Sequence, residues 1–113
     1  MHEMALAENV LELILESARD QQFTRVKTIT LEIGQLSAVE TDALRFCFEA
    51  VTRDSLAENA DLIIIETAGV GRCRACGATV AMSEKYGFCT SCDSPQLDIV
   101  SGAEMRVKEL AVE

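Results

Sequence analysis

Two Cys-x-x-Cys pairs, "CRACG" at Cys73/Cys76 and "CTSCD" at Cys89/Cys92, stand twelve residues apart and hold four of the five cysteines in this chain. Nothing else in the sequence restricts the fold as tightly. Two residues between thiolates let both sulfurs reach one ion from a tight turn, while amide N–H groups of that turn point at sulfur. Two such knuckles, joined by a β-hairpin over "ATVAMSEKYGF", would close a tetrahedral tetrathiolate shell. The gap is slightly shorter than the about 15–20 residues commonest in zinc ribbons, and a compact hairpin accommodates it.

The surrounding composition argues for a metal. Gly69 to Leu97 contains four of the six glycines and the only proline, Pro95. Its sizeable apolar side chains are Val70, Val80, Met82, Tyr86, Phe88 and Leu97. These are too few to offset an ordering cost of about 1–2 kcal/mol per residue. Structural zinc, at roughly 10–16 kcal/mol, can offset it. Four protein ligands leave no open coordination position, so the expected role is structural and not catalytic.

Three other readings of the cysteines compete. A rubredoxin-like iron site uses similar knuckles, but the second pair here is followed by Asp93 in place of glycine. A thiol–disulfide enzyme would set one Cys-x-x-Cys at the start of a helix in a thioredoxin-like context, which neither pair has. A nucleic-acid ribbon would need a basic surface, and Arg72, Arg74 and Lys85 hardly supply one against Glu84 and Asp93. Structural zinc on Cys73, Cys76, Cys89 and Cys92 is preferred. Cys47 lies on an apolar helical stripe and reads as a small buried hydrophobe.

Outside this segment the chain reads as one α+β domain. Met4, Ala7, Val10, Leu11, Ile14 and Ala18 recur at three- and four-residue steps, with Glu8, Glu12, Glu16 and Arg19 opposite them, the pattern of an amphipathic helix. "RVKTITLEIG" alternates Ile29, Leu31 and Ile33 with Thr28, Thr30 and Glu32, as a strand with one buried face does. "SAVETDALRFCFEAVTRDS" predicts a second helix, with Ser37 and Glu40 as a capping box and Val39, Ala43, Leu44, Cys47, Phe48 and Val51 as its stripe. "DLIIIE" predicts a short strand. "GAEMRVKELAVE" predicts another, with a slip of phase near Glu109 that suggests a bulge. The cysteine segment is thus an insertion between two strands of one sheet. Residues 1–68 and 98–113 form the main domain, and 69–97 form the module.

The formal net charge is -9 over 113 residues, with acids spread along the chain. That balance opposes nucleic acid, whose phosphates require neutralising Lys and Arg. No apolar run approaches the ~20 residues that span a bilayer, and Glu3 and Glu8 stand where a signal peptide would be cationic. The expected location is cytoplasmic, with no membrane partner. There thiols stay reduced, and metal binding outranks a disulfide framework.

His2 is the single histidine. At a chain end it reads first as a solvated residue. Coordination chemistry permits more, because a free α-amine, an imidazole and intervening peptide nitrogens can gather round one ion, and protons compete for them near pH ~8 and ~6.5. Deprotonated amides favour square-planar Ni(II) or Cu(II), whereas zinc prefers the tetrahedral thiolates.

Taken together, "MHE" at the start, "LEIGQLSAVE" leading into "ALRFCFEAV", the paired cysteine insertion and the terminal "EMRVKELAVE" resemble the HypA/HybF family of NiFe hydrogenase maturation factors from end to end. The resemblance implies a non-enzymatic nickel metallochaperone. It would help insert Ni(II) into the hydrogenase large subunit precursor, working with a maturation GTPase. It implies nickel at Met1 (amine), His2 (imidazole and amide) and Glu3 (amide), with Glu40 as a further acidic residue linked to the site. It implies zinc at Cys73, Cys76, Cys89 and Cys92. The family fold is α+β, with two helices packed on a three-stranded sheet and a zinc-ribbon-like module inserted before the last strand. A homodimer is compatible with the sequence. Many members carry Pro and Gly in the second knuckle, where this chain has Thr90 and Asp93, so Asp93 is expected in the left-handed conformation it tolerates. The alternative is a zinc-stabilised protein–protein adaptor with no nickel site of its own.

Overall fold

The computed structural model describes residues 2–113. Two helices and two three-stranded sheets make up an α+β fold. In chain order these are α1 (Glu3–Gln21), β1 (Val26–Gly34), a 3-10 turn (Gln35–Ser37), α2 (Thr41–Val51), β2 (Asp61–Thr67), β3 (Gly69–Cys73), β4 (Thr79–Met82), β5 (Leu97–Ser101) and β6 (Met105–Val112). One sheet has the order β2-β1-β6 and the other β4-β3-β5. The chain groups into two compact units. One contains the residues up to Leu31, Val39–Ile64 and Val107–Glu113; the other contains Glu32–Ala38 and Ile65–Arg106.

In the first unit the apolar spacing of α1 buries Ala7, Val10, Ile14 and Ala18 on one stripe. The helix stops where Gln22 turns left-handed (φ 57°) and its N–H returns to the Ala18 carbonyl at 2.8 Å, an αL-type stop. α1 packs on α2, whose Leu44 and Phe48 are buried. Val39, Ala43, Cys47 and Val51 flank them half-buried. The Thr52 hydroxyl donates to the Phe48 carbonyl at 2.8 Å and closes that helix.

The capping box expected at α2 does not form. Ser37 lies in the 3-10 turn, and its hydroxyl donates to the Gly34 carbonyl at 2.7 Å. Ala38 then turns left-handed (φ 59°), so the helix starts later than the pattern suggested. Glu40 is the N-cap itself, its carboxylate accepting from the Asp42 amide at 3.3 Å.

β1 is the central strand of its sheet, which explains a second departure. Thr30, expected on the open face, is buried along with Ile29 and Leu31. β6 shows the expected slip of phase: Met105 and Val107 are half-buried on one face, two exposed residues follow, and Leu110 is half-buried again, while Val112 at the strand's end is exposed.

In the second unit β3 pairs antiparallel with β4 (Val70 opposite Ala81) and with β5 (Arg72 opposite Asp98), with an irregularity between Val70 and Gly71. The segment "ATVAMSEKYGF" is therefore no hairpin on itself. Only Thr79–Met82 is a strand, and its partner is β3, the strand that leads into the first knuckle. Leu36, Val80 and Met82 pack with Cys73 and Cys89 in the buried centre. Gly34 and Gly102 permit a close backbone crossing here: the Leu36 N–H donates to the Gly102 carbonyl at 2.7 Å, and a Cβ on either glycine would collide with main-chain atoms. Arg106 clamps Glu32 with two bonds of 3.1 Å, which raises the pKa of the guanidinium. Among the described residues no helix is long and apolar enough to cross a membrane.

Candidate metal centre

The two knuckles are built alike. In the first, Cys73 N–H donates to the Ala78 carbonyl (2.9 Å) and Gly77 N–H to the Cys73 carbonyl (2.9 Å). In the second, Cys89 N–H donates to Ser94 (2.8 Å) and Asp93 N–H to Cys89 (2.8 Å). Both turns need a left-handed residue one place after the second cysteine. Gly77 supplies it at φ 77° and Asp93 at φ 62°, so Asp93 adopts the geometry expected of it at a modest cost that glycine escapes.

These turns bring the four cysteines together. Their sulfurs all lie within 4.8 Å of one another, with Cys73 Sγ 3.6 Å from Cys92 Sγ and Cys76 Sγ 3.7 Å from Cys89 Sγ. A tetrahedral zinc with bonds of about 2.3 Å requires sulfurs about 3.8 Å apart. The donor set and its spacing fit that ion. Amides point inward as well, from Cys76 to Cys73 Sγ (3.5 Å) and from Ser91 to Cys89 Sγ (3.3 Å).

Proton affinity reflects the crowding. The Cys76 amide does most to hold the Cys73 thiol down to about 6, against the effect of burial. Cys89 is lowered too, chiefly by the Cys92 and Ser91 amides. On Cys76 and Cys92 the amides of Ala78 and Ser94 favour the thiolate but are outweighed. Contact with the neighbouring sulfurs, together with burial, raises Cys76 and pushes Cys92 up to about 12. Four sulfurs this close must share protons, and a dication would replace those protons and satisfy all four.

The nickel residues expected from the resemblance are placed differently. Met1 lies outside the described residues. His2 is exposed at the N-cap of α1, its ring takes no part in capping, and its carbonyl accepts from Leu6 N–H at 3.1 Å. Glu3 begins the helix half-buried, and its Oε2 is buried with no partner among the described residues. Glu40 is exposed at the start of α2. His2, Glu3 and Glu40 belong to the same unit. Among the described residues, the four cysteines are the only group of three or more His, Cys, Asp or Glu whose ligand atoms converge. A site built largely from main-chain nitrogens would leave no such side-chain cluster.

Sequence reasoning missed Leu36 and Gln35. Leu36 joins the cysteine core, and Gln35 Oε1 accepts from Gly69 N–H at 3.2 Å. The signal was slight, a single leucine in "GQLSAV" more than thirty positions from the first knuckle.

Known proteins resemble this chain throughout its length. A family described as "Hydrogenase/urease nickel incorporation, metallochaperone, hypA" matches residues 1–112. Hydrogenase maturation factor HypA of Albidiferax ferrireducens is 55% identical over 113 residues, all of both chains. That of Dechloromonas aromatica is 52% identical over the same span. The solution structure of the Ni metallochaperone HypA from Helicobacter pylori superposes with a TM-score of 0.74 at 27% identity, covering 99% of this chain and 97% of that one.

Proposed function

Because this chain belongs to the HypA family of hydrogenase/urease nickel-incorporation metallochaperones, we propose that it carries Ni(II) to the large subunit precursor of a NiFe hydrogenase, with zinc resident on its cysteines. The whole-length family match carries this reading. The cargo would be held by the Met1 amine, the His2 imidazole and amide, and the Glu3 amide, with Glu40 nearby.

The start of α1 suits that role physically. The first N–H groups of a helix have no intrahelical acceptor, so the Glu3 amide can lose its proton to a metal without breaking a helical bond. Four nitrogens in a plane favour Ni(II). The positive end of the helix dipole opposes a bare dication. Two deprotonated amides would cancel the ion's charge and leave a neutral complex beside the exposed His2, from which it can be handed on. His2 has its ring free of capping for this purpose.

Zinc, when bound, supplies four strong bonds that hold the knuckles closed. Cys73, Cys76, Cys89 and Cys92 would be its ligands, and the inward amides of Cys76 and Ser91 stabilise their thiolates. We place the protein in the cytoplasm, where a maturation GTPase and the large subunit precursor would meet it and thiols stay reduced. Nickel titration of untagged His2→Ala against the parent tests the reading: nickel binding should fall at least about tenfold, or about 1.4 kcal/mol, with one zinc retained. Equal nickel affinity in the two proteins would overturn it.

A further inference from the structure

Beside α1 runs a groove of about 310 Å³, whose apolar lining is Leu13 and Ile14 from the helix and Val107 and Leu110 from β6, with Glu16 and Asp20 on its rim. Leu13 is 54% exposed there. The solvent face of α1 carries Glu8, Glu12, Glu16 and Asp20 at successive four-residue steps, all exposed. Arg19 is the only base in the helix.

Folding does not account for that arrangement. Like charges four residues apart repel along a helix, and acids in its last turns oppose the dipole. No ion pair among the described residues offsets Glu8, Glu12, Glu16 or Asp20 through an exposed salt bridge of the kind seen at Lys27–Glu113. The ridge meets the apolar groove at Glu16 and Asp20, and an acidic rim on an apolar groove is complementary to an element with the reverse pattern.

We propose that this groove docks a cationic amphipathic helix of a partner protein, lying along α1. Its apolar residues would cover Leu13 and Leu110, and its Lys or Arg residues would face the ridge. Each four-residue step rises about 6 Å and turns about 40° around the helix, so Lys or Arg residues on a helix seated in the groove face the end of the ridge at Glu16 and Asp20 first. A second copy of this chain fits poorly, since it is itself acidic, with a net charge of -9 over its whole length. The proposal does not depend on where nickel binds.

The probe is a dye-labelled amphipathic Leu/Lys peptide of about 15 residues, long enough to hold a helix against the surface, titrated with the zinc-loaded full chain by fluorescence anisotropy. A same-composition scrambled peptide is the comparison. We expect one-to-one binding that weakens at least about tenfold in Glu12→Lys/Glu16→Lys. It should also weaken in Leu13→Ser, and hold in Glu84→Lys/Glu104→Lys, which changes net charge equally on the other unit. Equal binding of the scrambled peptide, or equal loss in the two charge variants, would reduce the effect to diffuse charge and overturn the proposal. No binding would overturn it, as would self-association of the parent chain that Leu13→Ser abolishes, which would assign the groove to a second copy.

Discussion

Asp93 shows how far one residue can be argued from chemistry alone. The second knuckle needs a left-handed residue after Cys92, and Asp93 takes it at φ 62°. Asp93→Gly should therefore retain zinc and gain stability of up to about 1 kcal/mol. Asp93→Val, β-branched at the same φ, should lose it. Thermal unfolding of the zinc-loaded proteins checks both. Glu40 has two roles to separate: its carboxylate caps α2 through Asp42 N–H, and it is the acid assigned beside nickel. Glu40→Gln keeps an acceptor for the cap. The expected outcome is an unchanged melting temperature with nickel affinity lowered severalfold, read by calorimetry. Protons act at this scale as well. The metal-free cysteines bind more protons than the zinc-bound ones, so zinc affinity must rise with pH. With Cys73 held down to about 6, competition with a chromophoric chelator should show affinity falling as pH drops toward that value and continuing to fall below it. A flat profile would mean that the thiolates are not the ligands.

At the scale of elements, legibility followed the kind of signal each element leaves. α1 was plain because its buried residues repeat at helical steps. The β6 phase slip was plain because alternation breaks visibly between Val107 and Leu110. The start of α2 was misread because Ser37 and Glu40 have capping-box spacing, while the left-handed Ala38, which delays the helix, has no sequence signature. The hairpin was misassigned because local alternation in "ATVAM" says that a strand exists and not which strand pairs with it. β3, on the far side of the knuckle, is the partner. Thr30 was misplaced because alternation alone does not reveal that β1 is central. Ile14 and Leu44, almost fully buried, lie in α1 and α2, which pack together. Either residue changed to Ala should lower stability by about 2–5 kcal/mol in urea unfolding and leave zinc in place.

For the whole molecule, the candidate metal centre was readable because its four cysteines stand at telling intervals, and the structure brings their sulfurs to distances that suit one ion. A main-chain nickel site leaves almost no trace in composition, so the proposal for His2 rests on the likeness of the full chain to HypA proteins. Two metals with separate donors should be separable. Cys76→Ser should abolish zinc and disorder β3 to β5, seen as lost amide dispersion there, while α1 and α2 keep their signals. The most direct test of the central claim leaves every side chain untouched. Nickel and zinc are measured on untagged protein with and without one extra residue ahead of Met1. The account predicts that the extension displaces the terminal amine and sharply weakens nickel binding, with one zinc per chain in both forms. Undiminished nickel affinity in the extended protein would contradict it.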